Sequence, residues 1–176
     1  MGLALLSSVR CFAGDQRRYQ ASSSALSCET VFSVFLPDFA VANPVPVVIY
    51  LSGLTCTDEN AVTKAGAQRI ASELGIALVF PDTSPRGDHV PTDPAGQWDF
   101  GFGAGFYVDA EQEPWSRHYR MHSFVLEELP SRLCSALPLD VLRLGLSGHS
   151  MGGHGALVLG LRHPDRYRSV SAVAPI

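Results

Sequence analysis

Apolar residues recur along this chain at two spacings, one suited to strands and one to helices. Val31, Phe32, Val34 and Phe35 alternate in part before Pro37, which predicts a strand over 27–36. Residues 46–51 are continuously apolar and rich in β-branched side chains, the pattern of a strand covered on both faces. The spacing then lengthens. Val62, Gly66, Ile70 and Leu74 recur at i+4 steps with Lys64 and Arg69 off the stripe, which predicts one helix stopped by Gly75. A second buried strand is expected over 76–80. From about Arg117, Met121, Val125 and Leu129 share a helical face, and Pro130 is expected to kink or end that helix. Residues 141–146 predict another buried strand, 151–162 a helix stopped before Pro164, and 169–174 a final strand.

Strands alternating with helices imply an α/β fold, a mostly parallel sheet with helices on both faces. In such sheets binding sites lie beyond the carboxyl ends of the strands. The 176 residues, 46% of them hydrophobic, suffice for one domain spanning 1–176. The Gly-, Pro- and Asp-rich run 82–114 is longer than an ordinary connection and is therefore a candidate functional loop.

Charge and composition exclude several classes. Thirteen Lys and Arg against seventeen Asp and Glu leave a net charge of −4 with no basic stripe, which argues against nucleic-acid binding. The apolar runs fall far short of the roughly 20 residues a membrane-spanning helix needs, so no membrane partner is expected. The N-terminal Met1-Gly2-Leu3-Ala4-Leu5-Leu6 lacks a basic region, its first positive charge being Arg10, and argues against a secretory leader. Cys11, Cys28, Cys56 and Cys134 form no Cys-x-x-Cys pair, and free thiols in a cytoplasmic setting are expected.

The residues richest in chemistry are Gly148-His149-Ser150-Met151-Gly152, a G-x-S-x-G turn with an apolar strand before it and an apolar helix after it. A chain reversing that sharply holds the serine in a strained conformation and lifts its hydroxyl clear of the sheet, at a helix N-terminus that favours developing negative charge. Ser150 is thus the candidate nucleophile. The Met151 N–H is one candidate oxyanion donor. The second is expected after an earlier strand, where Leu51-Ser52-Gly53-Leu54-Thr55 stands in the right chain order and Gly53 lets the Leu54 N–H turn inward. No phosphate-loop pattern competes for the turn.

Taken with the blocks Leu51 to Thr57, Pro81 to Gly87, Trp98 to Gly101, Gly103 to Ala110 and Gly148 to Ala156, the chain resembles the S-formylglutathione hydrolase, or esterase D, family from about Cys11 onward. The resemblance implies an α/β-hydrolase fold, a cytoplasmic location and no cofactor. Its substrate would be a small molecule, S-formylglutathione or a short acyl ester, and its reaction the release of formate and glutathione in formaldehyde detoxification. A homodimer of the full-length protein is an oligomeric form open to it. It also implies Leu54 and Met151 as the oxyanion donors.

The triad order in such folds is Ser, then Asp or Glu, then His. Residues after Ser150 include His154, His163 and Asp165, in neither the required order nor context. The expectation is that the strands carrying the acid and base are absent and the fold is incomplete at its C-terminal end. His149 points away from its neighbour on a tight turn, and His154 is expected to be a hydrogen-bonded packing residue. His118 and His122 have a metal pair's spacing but lack the Glu of H-E-x-x-H, so no metal is expected. Asp82 is expected to form a turn with Thr83-Ser84-Pro85. Trp98, Phe100, Phe102 and Phe106 are candidates for an acyl pocket or for core packing, and Lys64, Arg86, Arg117 and Arg120 for meeting glutathione carboxylates. Two other functions stay open: a broad short-chain carboxylesterase, and a truncated, non-catalytic fragment.

Overall fold

The computed structural model describes residues 2–176, so Met1, where the N-terminal apolar stretch begins, lies outside the described residues. Its strands are β1 (Ala4–Arg10), β2 (Gly14–Ser23), β3 (Cys28–Pro37), β4 (Val45–Leu51), β5 (Ala77–Pro81), β6 (Leu139–His149) and β7 (Ser169–Val173). The helices are α1 (Asp58–Lys64), α2 (Gln68–Leu74), α3 (Met121–Ser123), α4 (Leu129–Ala136) and α5 (Met151–Arg162). The strands form one sheet in the order β1-β2-β3-β5-β4-β6-β7.

The sheet is mixed where a mostly parallel one was predicted: β1, β2, β3 and β5 pair antiparallel in succession, and only β5-β4, β4-β6 and β6-β7 pair parallel. The polar residues of β2, Asp15-Gln16-Arg17-Arg18, hide it from an apolar-run reading, and the short connections 11–13 and 24–27 permit only hairpin pairing. Helices do cover both faces. Phe35, Leu78 and Phe80 pack with Ala61 and Ala71 of α1 and α2 on one side. On the other, Phe32, Val34, Val47, Ile49, Val79 and Leu146 share a core with Phe124, Leu129, Leu133 and Leu159 from the later helices.

Three local expectations need correction. The single helix expected through Val62, Gly66, Ile70 and Leu74 is two, because Gly66 turns left-handed at φ +62° between α1 and α2. The stripe therefore fails: Ile70 and Leu74 are 55% and 65% exposed, while Ala61, Gln68, Ala71 and Ser72 face inward. Gly75 does end α2, in the left-handed conformation at φ 66°. Pro130 does not end its helix, which runs on to Ala136. Residues Phe124–Glu128 form a π-helical turn directly ahead of it, and the Leu126 carbonyl, four residues back, accepts from Arg166 Nη2 at 3.2 Å in place of the N–H that proline lacks. Strand β6 is longer than predicted: Leu139 at its start is buried in the core, and Leu142, inside the predicted strand, is 76% exposed.

Two charged groups tie the layers together. Asp58, fully buried at the start of α1, accepts from Arg18 Nε and Nη2 at 2.8 and 2.9 Å and from the Ser33 hydroxyl at 2.8 Å, fastening α1 to β2 and β3. Thr57 and Asn60 close a capping box around that helix start. Glu128 does the same for the β2–β3 turn: it accepts from the Ala25 N–H at 2.7 Å, the Ser23 hydroxyl at 3.0 Å and Arg132 Nε at 2.7 Å. Burial alone would raise its pKa, but the Ala25 N–H, Arg132 and Ser23 together hold it below the ordinary value. A depressed carboxylate pKa contributes stability above the unfolded value of about 4.3 and loses it as pH falls through the folded value. Glu128→Gln is expected to cost about 1–3 kcal/mol at pH 7 and much less near pH 3, read as urea midpoints at the two pH values. Equal losses at both would show that the charge plays no part.

Candidate functional site

Strand β6 hands over to α5 at Ser150, whose backbone stands at φ 57° and ψ −122°, a region an L-residue occupies only under strain. Contacts on both sides hold it there. A Cβ on Gly148 would lie 2.1 Å from the Gly152 carbonyl oxygen, and one on Gly152 would lie 1.9 Å from that of Leu51. The turn therefore packs backbone on backbone, leaving no space for side chains at those two positions. The Ser150 N–H donates to the Val173 carbonyl at 3.0 Å, and the Ser150 carbonyl accepts from the His154 N–H at 3.0 Å, so the residue is bonded to β7 and to the first turn of α5.

The loop after β4 reaches the same point. The Cβ and Oγ of Ser150 lie 3.3 and 3.8 Å from where a Gly53 Cβ would be, which brings 52–54 alongside the serine. Thr55 is left-handed at φ 65°, and its N–H donates to the Gly103 carbonyl at 3.0 Å. Ser52 is buried; its Oγ has no hydrogen-bond partner among the described residues, and its carbonyl accepts from the Tyr107 hydroxyl at 2.9 Å. Ser150, Leu54 and Met151 are thus brought together at the carboxyl ends of β4 and β6, with Met151 opening α5 and its positive dipole end.

The six histidines have other neighbours. His118 Nδ1 sits 2.9 Å from the Leu26 carbonyl oxygen, and its ring meets that of His89 at 5.6 Å. His122 packs against His163 at 5.3 Å, and burial lowers its pKa. His118 and His122 thus face different neighbours. His149 is exposed. The expectation for His154 is corrected: it is half-buried, and its side chain makes no hydrogen bond among the described residues. Among the described residues no histidine side chain bonds Ser150.

Asp82 forms the turn expected of it, accepting from the Thr83 N–H at 2.7 Å, but it is also buried and paired with Arg86 Nε at 2.9 Å. Burial raises its pKa against the pull of Arg86. Arg86 also donates from Nη2 to the Cys56 carbonyl at 3.1 Å, so it braces the loop after β4. Arg120 lies 3.8 Å from Asp109, while Lys64 and Arg117 are exposed. Of the four loop aromatics, Phe100 and Phe106 line a cavity of about 330 Å³, with Trp115, Tyr119, Asp99 and Glu111. Trp98 and Phe102 lie on the surface, so core packing does not describe them. That cavity does not include Ser150 in its walls. Tyr107 was missed by sequence reasoning as a neighbour of the site, since no local pattern reveals that its hydroxyl reaches Ser52.

A seven-stranded sheet with helices on both faces and a strained serine between β6 and α5 is the frame of an esterase. Residues 23–176 match the family described as "Putative esterase", and the chain belongs to that family, with an α/β-hydrolase-type fold. Along its whole length it is 49% identical to S-formylglutathione hydrolase of Mus musculus and 48% identical to that of Rattus norvegicus, covering 62% of each. An S-formylglutathione hydrolase from Agrobacterium tumefaciens superposes on it with a TM-score of 0.96 at 48% identity, over 100% of this chain and 62% of that one. A ferulic acid esterase from Anaeromyces mucronatus shares the fold, with a TM-score of 0.69 at 19% identity over 92% of this chain and 58% of its own. The chain spans 62% of the length of the curated relatives it matches.

The backbone packing at the turn has a direct test. Gly152→Ala places a methyl group 1.9 Å from the Leu51 oxygen, where two backbone segments would have to part. A loss of about 3 kcal/mol or more is expected in denaturant unfolding. A variant as stable as the parent would mean that β4 and α5 are not in contact there.

Proposed function

We propose that this chain carries the nucleophile and the oxyanion site of a serine hydrolase acting on S-formylglutathione. The observation that carries the reading is the Ser150 turn, a left-handed serine between β6 and α5 with the loop after β4 alongside it. Ser150 Oγ attacks the formyl carbon, the carbonyl oxygen becomes an oxyanion, and the N–H groups of Leu54 and Met151 receive it. Collapse of the tetrahedral intermediate expels the glutathione thiolate and leaves a formyl-serine, which water then hydrolyses to formate. The first step needs a base to take the serine proton, and the thiolate is a good leaving group that needs little help. The thioester substrate rests on 49% identity to relatives that bear that name. Formaldehyde catabolism and a cytoplasmic setting follow from the same likeness. A broad carboxylesterase would share every residue above and differ in preferring simple aryl acetates to S-formylglutathione.

In the enzyme carrying these residues, Ser150→Ala is expected to lower hydrolysis of S-formylglutathione by at least about 10⁴-fold while the fold, followed by circular dichroism, persists. Turnover near that of the parent would end the assignment of Ser150 as nucleophile.

With no histidine side chain bonded to Ser150 among the described residues, residues 1–176 alone are expected to react with a fluorophosphonate probe far more slowly than an active S-formylglutathione hydrolase does. The check is labelling monitored by mass spectrometry, with Ser150→Ala as the blank. Labelling of Ser150 as fast as in the active enzyme would mean that His149 or His154 swings in as the base.

A further inference from the structure

The loop 82–114 and its continuation to α3 run past the turn, and two of their groups grip the chain on either side of Gly53. The Tyr107 hydroxyl donates to the Ser52 carbonyl at 2.9 Å, and the Gly103 carbonyl accepts the Thr55 N–H at 3.0 Å. Between these two clamps lie the peptide groups of Gly53 and Leu54. A glycine rotates about φ and ψ with little resistance, so the peptide that follows it can turn its N–H toward or away from Ser150 at small cost. Holding the Ser52 oxygen and the Thr55 nitrogen from outside limits that freedom, together with the Cys56 N–H, which donates to the Gly53 carbonyl at 3.4 Å.

The clamp is itself rigidly built. Tyr107 is fully buried, with a left-handed backbone at φ 55° beside Phe106 at φ 47°. Its ring lies against Gly155 on the first turn of α5 after Ser150, where a Cβ would come within 2.5 Å of the ring. Gly103 is left-handed at φ 79° and fits so closely on Thr55 that a Cβ would stand 2.9 Å from the Thr55 Cα. Two neighbouring strained residues at Phe106 and Tyr107 are costly to keep and persist only where surrounding contacts fix them. One phenol thus touches both halves of the site: its ring the helix that presents Met151, its hydroxyl the loop that presents Leu54. Burial pushes this phenol well above its ordinary pKa, so it remains a donor over the whole working range.

We propose that Tyr107 is a positioning residue of the oxyanion site, fixing the peptide plane between Ser52 and Gly53 so that the Leu54 N–H faces the oxygen on which charge develops. The proposal rests on the reading of Ser150 as nucleophile. Tyr107 itself exchanges no proton and touches no reacting atom. Its contribution is made in the transition state, where an aligned N–H counts most, and is small in the ground state.

The test is steady-state kinetics of the S-formylglutathione-hydrolysing enzyme that carries these residues, as wild type, Ser150→Ala, Tyr107→Phe and Tyr107→4-aminophenylalanine. Ser150→Ala examines the nucleophile reading separately, and should activity survive it, that reading falls before the Tyr107 data are considered. In Tyr107→Phe, kcat is expected to drop about tenfold to a hundredfold with KM within about twofold of the parent. The pH–rate profile should keep its shape, because the lost group never titrates in that range. The 4-aminophenylalanine variant restores a donor at the same place and should recover most of kcat, which a packing role would not predict. This rescue keeps the test decisive if the Phe variant folds poorly. An unchanged kcat in a folded Tyr107→Phe enzyme, a rise in KM alone, a missing limb of the pH profile, or failure of the donor-bearing variant to recover kcat would each overturn the proposal.

Discussion

Backbone contact between the end of β4 and the start of α5 is the constraint on which the site depends. The Leu51 oxygen and the Gly152 Cα approach so closely that no side chain fits, and the Gly148 Cα meets the Gly152 carbonyl in the same way. These contacts set the angle at which β6 gives way to α5 and force Ser150 into its left-handed conformation. They also bring 52–54 against the serine, since that loop starts where Leu51 ends. A strained residue of this kind costs about 1–3 kcal/mol, which the core beneath must supply. It does so through Leu51, Ile49 and Leu146 on the strands and Met151, Ala156 and Leu159 on the helix, all buried in one cluster.

How far such a site can be foreseen depends on whether its determinants are local. The strand-turn-helix around Ser150 was legible because the glycines, the serine and the apolar runs lie within one short stretch, and α5 spans the predicted residues. The buried strands β4 and β5 were legible for the same reason. The antiparallel half of the sheet was not, because β1 and β2 present Ser, Gln and Arg to solvent and their pairing comes from hairpin geometry instead of apolar runs. The error at Gly66 has a similar origin. An i+4 stripe presumes an unbroken helix, and one left-handed residue rotates everything after it. Tyr107 was hidden because its partner Ser52 is 55 positions away.

The loop between β5 and α3 changes meaning once its bonds are traced. Its aromatic and glycine content suggested a pocket wall, yet Trp98 and Phe102 are exposed and the cavity beside Phe100 leaves Ser150 out. What the loop contributes is bracing. Thr83, Ser84, Arg86, Gly103 and Tyr107 each hydrogen-bond the chain after β4 or one another. The Asp82–Arg86 pair serves that purpose too. Arg86 gives one donor to the Cys56 carbonyl and is held in place by a carboxylate whose own burial is unfavourable. A pair with one buried partner adds modestly to stability, but it fixes geometry firmly, because Asp82 left alone would be a buried charge.

This division of labour explains why the proposed oxyanion donors need no particular side chain. Leu54 and Met151 contribute only their N–H groups, so what matters is the direction of two peptide planes. Met151 takes its direction from α5, where twelve residues of helix fix every torsion. Leu54 has no such support. It follows a glycine and precedes a left-handed Thr55, which leaves it in irregular chain where each torsion needs its own restraint. The two halves of the site are therefore stabilised by different means: one by regular secondary structure, the other by long-range hydrogen bonds from residues 50 positions further along. Strain at Thr55, Phe106, Tyr107 and Ser150 lies along that second route. A site built this way can lose its geometry without losing its fold, because releasing the loop after β4 leaves the sheet and α5 intact.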